Sequence, residues 1–258
     1  MESSVLVGHN AVLEYLKTER PVKKVLLAAD TGRNADIVAL LKKKGITHQF
    51  VQKAVLDRMA NGERHQGVLA YIEAYAYVDL DTILEIAANR EEPPFILALD
   101  GLEDPHNLGA LVRTAEAVGV HGIVIPNRRS VDVTPTVIKI SAGAAAHIAV
   151  ARVTNLVQAL KKLQEAGCWI SGAEHNGKDI EKADLSGPRV IAVGSEGKGL
   201  SRLVRETCDE IVTLSMRGKI NSLNASVAGG ILLYQSFLQR KFERTKIADP
   251  TFLGPPES

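Results

Sequence analysis

Three separated stretches of this 258-residue chain carry the side chains best suited to chemistry: DGLEDPHNLGALVRTAEAVGV (100–120), VIAVGSEGKGLS (190–201) and KINSLNASVAGGILL (219–233). In the first, Asp104, Pro105 and Asn107 are turn and cap residues ahead of an apolar-periodic helix. Arg113 follows Asn107 by six positions, nearly two turns, which predicts that both project from roughly the same side. A guanidinium there either pairs with a carboxylate structurally or grips a phosphate or carboxylate of a ligand.

In the second stretch three glycines within six positions let the backbone turn sharply and approach a ligand, and a helix starting near Leu200 favours negative charge close by. The spacing matches neither the P-loop nor the dinucleotide fingerprint. Glu196 would repel a phosphate, so a ligand with a cationic portion, or a group that must lose a proton, fits better. The plain alternative is Glu196 as a solvent-facing turn residue. In the third stretch Ser222 or Asn224 caps a helix, a contribution of about 1 kcal/mol. Asn221, Ser222, Asn224 and Ser226 together offer more hydrogen-bonding groups than one helix start consumes. The small residues Ala225, Ala228, Gly229 and Gly230 behind them leave room for another backbone to pass close.

The elements that must position these stretches are legible from periodicity. Residues 1–75 form a small α/β unit, with helices expected over 8–18, 34–44 and 53–60 and strands over 25–28, 48–51 and 68–72. Residues 76–94 read as a linker with a leading helix, 82–88, capped by Asp79 or Asp81. From Phe95 the apolar strands FILALD, GIVIP, WISGA, RVIAVG and EIVTLS alternate with helices, which predicts a mostly parallel sheet covered on both faces. Ligands on such sheets gather where strands end and helices begin, and all three stretches sit at such ends. The larger unit is placed at 95–246, and 247–258 reads as a mobile tail.

Composition narrows the function classes. An apolar content of 45% is ordinary for a packed core, and two cysteines, Cys168 and Cys208, are too few for a disulfide framework and too far apart for a metal pair. No metal is expected. No apolar run approaches the ~18 residues that cross a bilayer, and residues 1–10 lack a basic start followed by an apolar stretch. A cytoplasmic protein with no membrane partner is expected. The net charge of +1 gives no global argument for a polyanion, so any RNA contact must come from local patches. Candidates are Arg20, Lys23, Lys24 and Arg33; Lys42–Lys44; Arg128 and Arg129; and Arg240, Lys241, Arg244 and Lys246. Each cluster is equally readable as a solvated face.

Taken in order, NLGALVRTA, VGSEGKGLS and LSMRGKINSLNASVA resemble the three motifs of the SpoU/TrmH family of RNA ribose 2′-O-methyltransferases, within the SPOUT superfamily. Residues 1–75, with ERHQGVLAY, resemble the substrate-binding domain of the ribosomal-RNA branch of that family, typified by RlmB. The resemblance implies an α/β trefoil-knot domain, which periodicity cannot reveal, with S-adenosylmethionine bent in the knotted crevice. It implies a homodimer with RNA crossing the interface. Asn107, Arg113, Glu196, Ser222 and Asn224 fall on the family's active-site positions. Gly194, Glu196, Gly199, Leu214, Ser215, Met216, Leu223 and Asn224 fall on those that hold the cofactor.

The implied reaction moves the sulfonium methyl to a ribose 2′-hydroxyl and leaves S-adenosylhomocysteine. An arginine, with a pKa above about 12, is a poor proton acceptor at neutral pH, so Arg113 is read as gripping an RNA phosphate and stabilising oxyanion charge. Asn107, Glu196, Ser222 and Asn224 then orient it or relay the proton. The expected substrate is a guanosine in the peptidyl-transferase region of 23S rRNA. The alternatives are a tRNA 2′-O-methyltransferase and a non-catalytic RNA-binding or ribosome-assembly module of the same fold.

Overall fold

A computed structural model describes residues 4–29, 32–219 and 222–240. Asn221, Lys241, Arg244, Lys246, the tail 247–258 and the side chain of Arg33 lie outside the described residues.

The N-terminal part runs β1 (Ser4–Val7), α1 (His9–Lys17), β2 (Val22–Ala28), α2 (Ala35–Lys44), β3 (His48–Val51), α3 (Lys53–Met59) and β4 (Val68–Ile72). Its four-stranded sheet has the order β1-β4-β2-β3, with β2–β3 parallel and β4 antiparallel to both its neighbours. The expected strand 48–51 and strand 68–72 coincide with β3 and β4. β1, too short and too near the terminus to show a period, escapes the sequence.

The helix α4 (Leu80–Asn89) follows, capped by Asp79, whose carboxylate accepts from the Thr82 backbone N–H at 2.9 Å. Then come β5 (Phe95–Asp100), α5 (Pro105–Ala117), β6 (Gly122–Pro126), α6 (Pro135–Ile140), β7 (Ala149–Val153), α7 (Leu156–Glu165) and β8 (Trp169–Asp179). β9 (Arg189–Gly194), α8 (Arg202–Thr207), β10 (Glu210–Thr213) and α9 (Ala225–Gln239) complete the described chain. Six strands form one parallel sheet in the order β10-β8-β9-β5-β6-β7.

Alternation along the central strands covers both faces of that sheet. Phe95, Leu97 and Leu99 of β5, with Ile191 and Val193 of β9, face a core that contains α5 and α9. Ile96, Ala98, Val190 and Ala192 face the opposite core with α7 and α4. Burying strands on both faces makes them near-continuous apolar runs, which is why they stand out in the sequence.

The connector 76–79 is tied to the larger sheet: Val78 bridges to Ala151, and its N–H donates to Val150 O at 3.0 Å. Leu80 and Ile83 of α4 lie in the core beneath the sheet. The two parts also meet at polar contacts, Arg20 Nε to Ala146 O at 3.0 Å, Tyr75 Oη to Ile148 O at 2.8 Å and Lys139 Nζ to Glu63 Oε2 at 2.6 Å.

Candidate active site

The ends of β8, β9 and β10 open onto one cavity of about 590 Å³. A volume of that size suits a nucleotide-sized ligand. Gly194–Gly199 form one wall; Leu214, Met216 and Ser222–Ala225 form another; Ala173, Glu174 and His175 close it from β8.

The glycine wall is a tight turn in which Ser195 and Gly199 exchange backbone hydrogen bonds of 3.1 and 2.9 Å. The chain folds back hard against the end of β9. A Cβ on Gly194 would lie 2.0 Å from the Gly199 carbonyl carbon and 2.3 Å from Leu200 N, so only glycine fits. This is where backbone passes backbone. The expectation that Ala225, Ala228, Gly229 and Gly230 serve that purpose is corrected at Gly229: a Cβ there would meet the side chains of Leu111 at 2.7 Å and Val193 at 3.2 Å. Gly229 therefore seats α9 against α5 and β9, while Ala228 lines the cavity.

The anion favoured near the start of α8 is supplied by the protein itself. Glu174 Oε1 accepts from Leu200 N at 2.8 Å, and Asp100 Oδ2 accepts from Ser201 N at 2.6 Å. Two carboxylates at these amides occupy the ground a phosphate would take. Glu174 was not visible as a site residue from sequence. It sits on a part of β8 beyond the apolar run 169–173, where the polar residues of 174–179 carry no strand-like alternation.

Three of the five candidate catalytic residues form one network. Asn107, buried in the first turn of α5, donates from Nδ2 to Glu196 Oε1 at 2.9 Å. Asn224 donates from Nδ2 to Asn107 Oδ1 at 2.9 Å and also to Glu196 Oε1. Asn224 Oδ1 meanwhile accepts from Ser226 N at 2.9 Å and Val227 N at 3.3 Å, so Asn224, rather than Ser222, caps α9. Glu196 is thereby a held carboxylate rather than a loose turn residue. Ser222 is exposed at the cavity wall and makes no hydrogen bond among the described residues.

Arg113 stands apart. It is exposed on α5, outside the cavity lining, without a hydrogen bond or ion pair among the described residues. The expectation that it shares a side with Asn107 is corrected. Six residues at about 100° each leave a helix about 120° short of two full turns, so the buried Asn107 and exposed Arg113 face different ways. Of the candidate cofactor residues, Gly194, Glu196, Gly199, Leu214, Met216, Leu223 and Asn224 line the cavity. Ser215 does not; its hydroxyl donates to Asp179 Oδ2, a bond that holds the Asp179 carboxyl below its usual range.

Residues 94–234 match the SpoU rRNA Methylase family, and residues 5–78 match the RNA 2′-O ribose methyltransferase substrate-binding domain. The chain belongs to the SpoU methylase family. YacO of Bacillus subtilis, named for the TrmH family of tRNA/rRNA methyltransferases, is 48% identical over 91% of this chain and 95% of its own length. A Staphylococcus aureus protein named for the same family is 43% identical over 93% of this chain and 98% of its own. In fold, the chain is similar to the SpoU methyltransferase AviRb from Streptomyces viridochromogenes solved with AdoMet, with a TM-score of 0.78 at 23% identity over 92% of this chain and 90% of that one.

SpoU methylases act on RNA, and this chain is a methyltransferase of that family that depends on S-adenosylmethionine. Its cavity fits that cofactor chemically. Glu174 and Glu196 present carboxylates to a ligand carrying a cationic sulfur and an ammonium, and Leu214, Leu223, Met216 and Leu232 supply apolar surface. Both the mostly parallel α/β architecture and the SPOUT class implied by the motifs hold. Among the described residues no helix is long and apolar enough to cross a membrane.

Proposed function

We propose that this SpoU methylase transfers a methyl group to the ribose 2′-hydroxyl of a guanosine in the peptidyl-transferase region of 23S rRNA, as a member of the RlmB branch. The observation that carries the reading is the convergence of Asn107, Glu196 and Asn224 beside a cavity lined by Gly194, Gly199 and Leu223. The division of labour is residues 1–75 for RNA capture, 76–94 as linker and leading helix, 95–246 for catalysis, and 247–258 as tail. A cytoplasmic site of action accords with an RNA substrate.

The bound cofactor supplies a methyl carbon made electrophilic by its positive sulfur. Backbone around Gly194, Gly199, Leu214, Met216 and Leu223 would hold it, with the Glu174 and Glu196 carboxylates available to its cationic groups. Holding the hydroxyl oxygen in line with that carbon contributes about 7–11 kcal/mol in favourable cases. The hydroxyl proton leaves through Ser222 Oγ and Glu196 Oε2, neither of which has a hydrogen-bond partner among the described residues. Asn107 and Asn224 fix the Glu196 carboxylate through its other oxygen.

The working unit in this reading is a homodimer. Val227, Ile231, Tyr234 and Leu238 of α9 are 49, 42, 54 and 58% exposed and follow one another at spacings of four, three and four, which is one helix face. A second copy covers that stripe. α5 packs beside α9 and carries Arg113 outward, so Arg113 of one chain serves the cavity of the other, gripping the phosphate beside the target ribose.

Mapping 2′-O-methyl positions on total RNA from cells with and without the protein tests the reading. Loss of one guanosine mark in large-subunit rRNA is expected. A lost mark in tRNA contradicts the substrate while leaving the reaction class, and no lost mark favours the non-catalytic module.

A further inference from the structure

We propose that Arg128 and Arg129, in the loop between β6 and α6, seat the RNA phosphates that flank the target nucleotide and so act as positioning residues. The inference rests on the methyltransferase reading and adds the strand path by which RNA reaches the cavity.

Three observations place this loop beside the site. Val131 N donates to Leu102 O at 2.9 Å, tying the loop to the turn that follows β5. A Cβ on Gly101 of that turn would lie 3.8 Å from the Arg129 carbonyl oxygen and 3.8 Å from Ser195 Cβ. Ser195 immediately precedes Glu196, so the arginine loop, the β5 turn and the catalytic turn converge. Arg129 also holds a left-handed backbone, φ 56°, which few residues other than glycine adopt and which costs about 1 kcal/mol. The Val131–Leu102 bond helps hold it there.

Charge separates these arginines from an ordinary solvated face. Both side chains are exposed, and neither makes a hydrogen bond or ion pair among the described residues. Of the nearby carboxylates, Asp132 pairs with Arg152 at 3.2 Å and accepts from Tyr77. Asp100 accepts from Ser201 N and Asp104 caps α5. Glu103, on the facing turn, is exposed and bonds to neither arginine. Two uncompensated guanidinium groups, each able to grip phosphate in a bidentate fork, therefore stand at the lip of the catalytic turn.

Position along the chain gives the site its use. The loop runs directly into α6, whose Lys139 pairs with Glu63 of the N-terminal part at 2.6 Å. A strand entering the cavity past Arg128 and Arg129 is thus led toward the domain whose family match is to substrate binding. On the same flank, Thr134 is committed to the cap at Val137 N.

The test measures binding of an in vitro transcribed 23S rRNA by wild type, Arg128→Gln, Arg129→Gln, the double variant and the double Arg→Lys variant across a salt series. Methyl-transfer kinetics and S-adenosylmethionine affinity are read in parallel. Each neutralised arginine is expected to weaken RNA binding about tenfold and to lower the slope of log affinity against log salt by about 1. KM for RNA should rise while kcat and cofactor affinity stay within about twofold, and the lysine variant should keep most of the salt slope. An unchanged slope in the double glutamine variant overturns the proposal. If wild type transfers no methyl group yet the slope falls as described, the phosphate seat stands and the proposed function falls instead.

Discussion

Asn224 donates a hydrogen bond to Asn107 Oδ1 at 2.9 Å although 117 positions separate them, and the same amide nitrogen reaches Glu196. Its carbonyl oxygen caps α9. One side chain thus joins a helix start to the network proposed for catalysis, and the two duties can be separated. Asn224→Ala should lose both, with a fall in stability of about 1 kcal/mol from the cap and a loss of methyl transfer. Asn224→Ser keeps a capping oxygen but has no amide donor for Asn107 and Glu196. It should melt within about 0.5 kcal/mol of wild type yet lose most of its activity. A serine variant with normal turnover would show that the network does not serve the reaction.

The fold at Gly194 leaves no room for a side chain, because Gly199 and Leu200 cross directly over it. Gly194→Ala should weaken S-adenosylmethionine binding by at least about tenfold in calorimetry, by displacing the cavity wall. Gly32→Ala is the control, since a Cβ there meets nothing within 4 Å among the described residues, and it should bind normally. Equal affinities for both would detach the glycine turn from the cofactor.

The exposed stripe on α9 and the outward Arg113 make a linked expectation. Sedimentation should give a dimer for wild type and a monomer for the Ile231→Glu, Tyr234→Glu double variant, with cofactor binding retained because neither residue lines the cavity. Arg113→Ala should abolish transfer and leave cofactor affinity within a few fold. Mixing Arg113→Ala chains with Gly194→Ala chains, each inactive alone, should restore part of the activity, because the intact cavity of one chain receives the arginine of the other. A mixture that stays inactive while subunits exchange would return Arg113 to its own chain's site.

His121 offers a test of the packing away from the site. It is buried, with Nδ1 accepting from Phe95 N at 2.9 Å and Nε2 on Glu92 at 3.0 Å. Burial pushes its pKa below the ordinary 6.5, against the upward pull of Glu92. The folded imidazole therefore resists protonation that the unfolded chain accepts. Stability from this residue is full above about pH 6.5 and falls as pH drops from there toward the lowered folded value. Urea unfolding at about pH 7.5 and about pH 5.5 should show a smaller loss for His121→Gln than for wild type. An identical loss in both would remove His121 from the acid sensitivity.

Legibility in the sequence followed periodicity. β4, β5, β6 and β9 match their expected ranges because each is a short apolar run between turn residues, and those buried on both faces are the plainest. The β7 and α7 segments, 149–165, were not read from sequence, although the apolar residues Leu156, Ala159, Leu160 and Leu163 of α7 recur at helical spacing. Asn107, Glu196 and Asn224 were singled out by the family motifs they fall in, and the three side chains meet in one hydrogen-bonded network. The 120° offset of Arg113 was available from helix geometry alone. Glu174 and the orientation of Ser215 depend on how strand ends meet, which no local pattern records.

The central claim, that this fold methylates a ribose oxygen, is tested most directly by the alkali stability of its product. Wild type, radiolabelled S-adenosylmethionine and 23S rRNA are incubated, and the RNA is hydrolysed in base. A methylated 2′-oxygen cannot attack the adjacent phosphate, so label is expected in an alkali-resistant dinucleotide with guanosine on its 5′ side. Label released with single nucleotides would place the methyl group on a base and contradict the account.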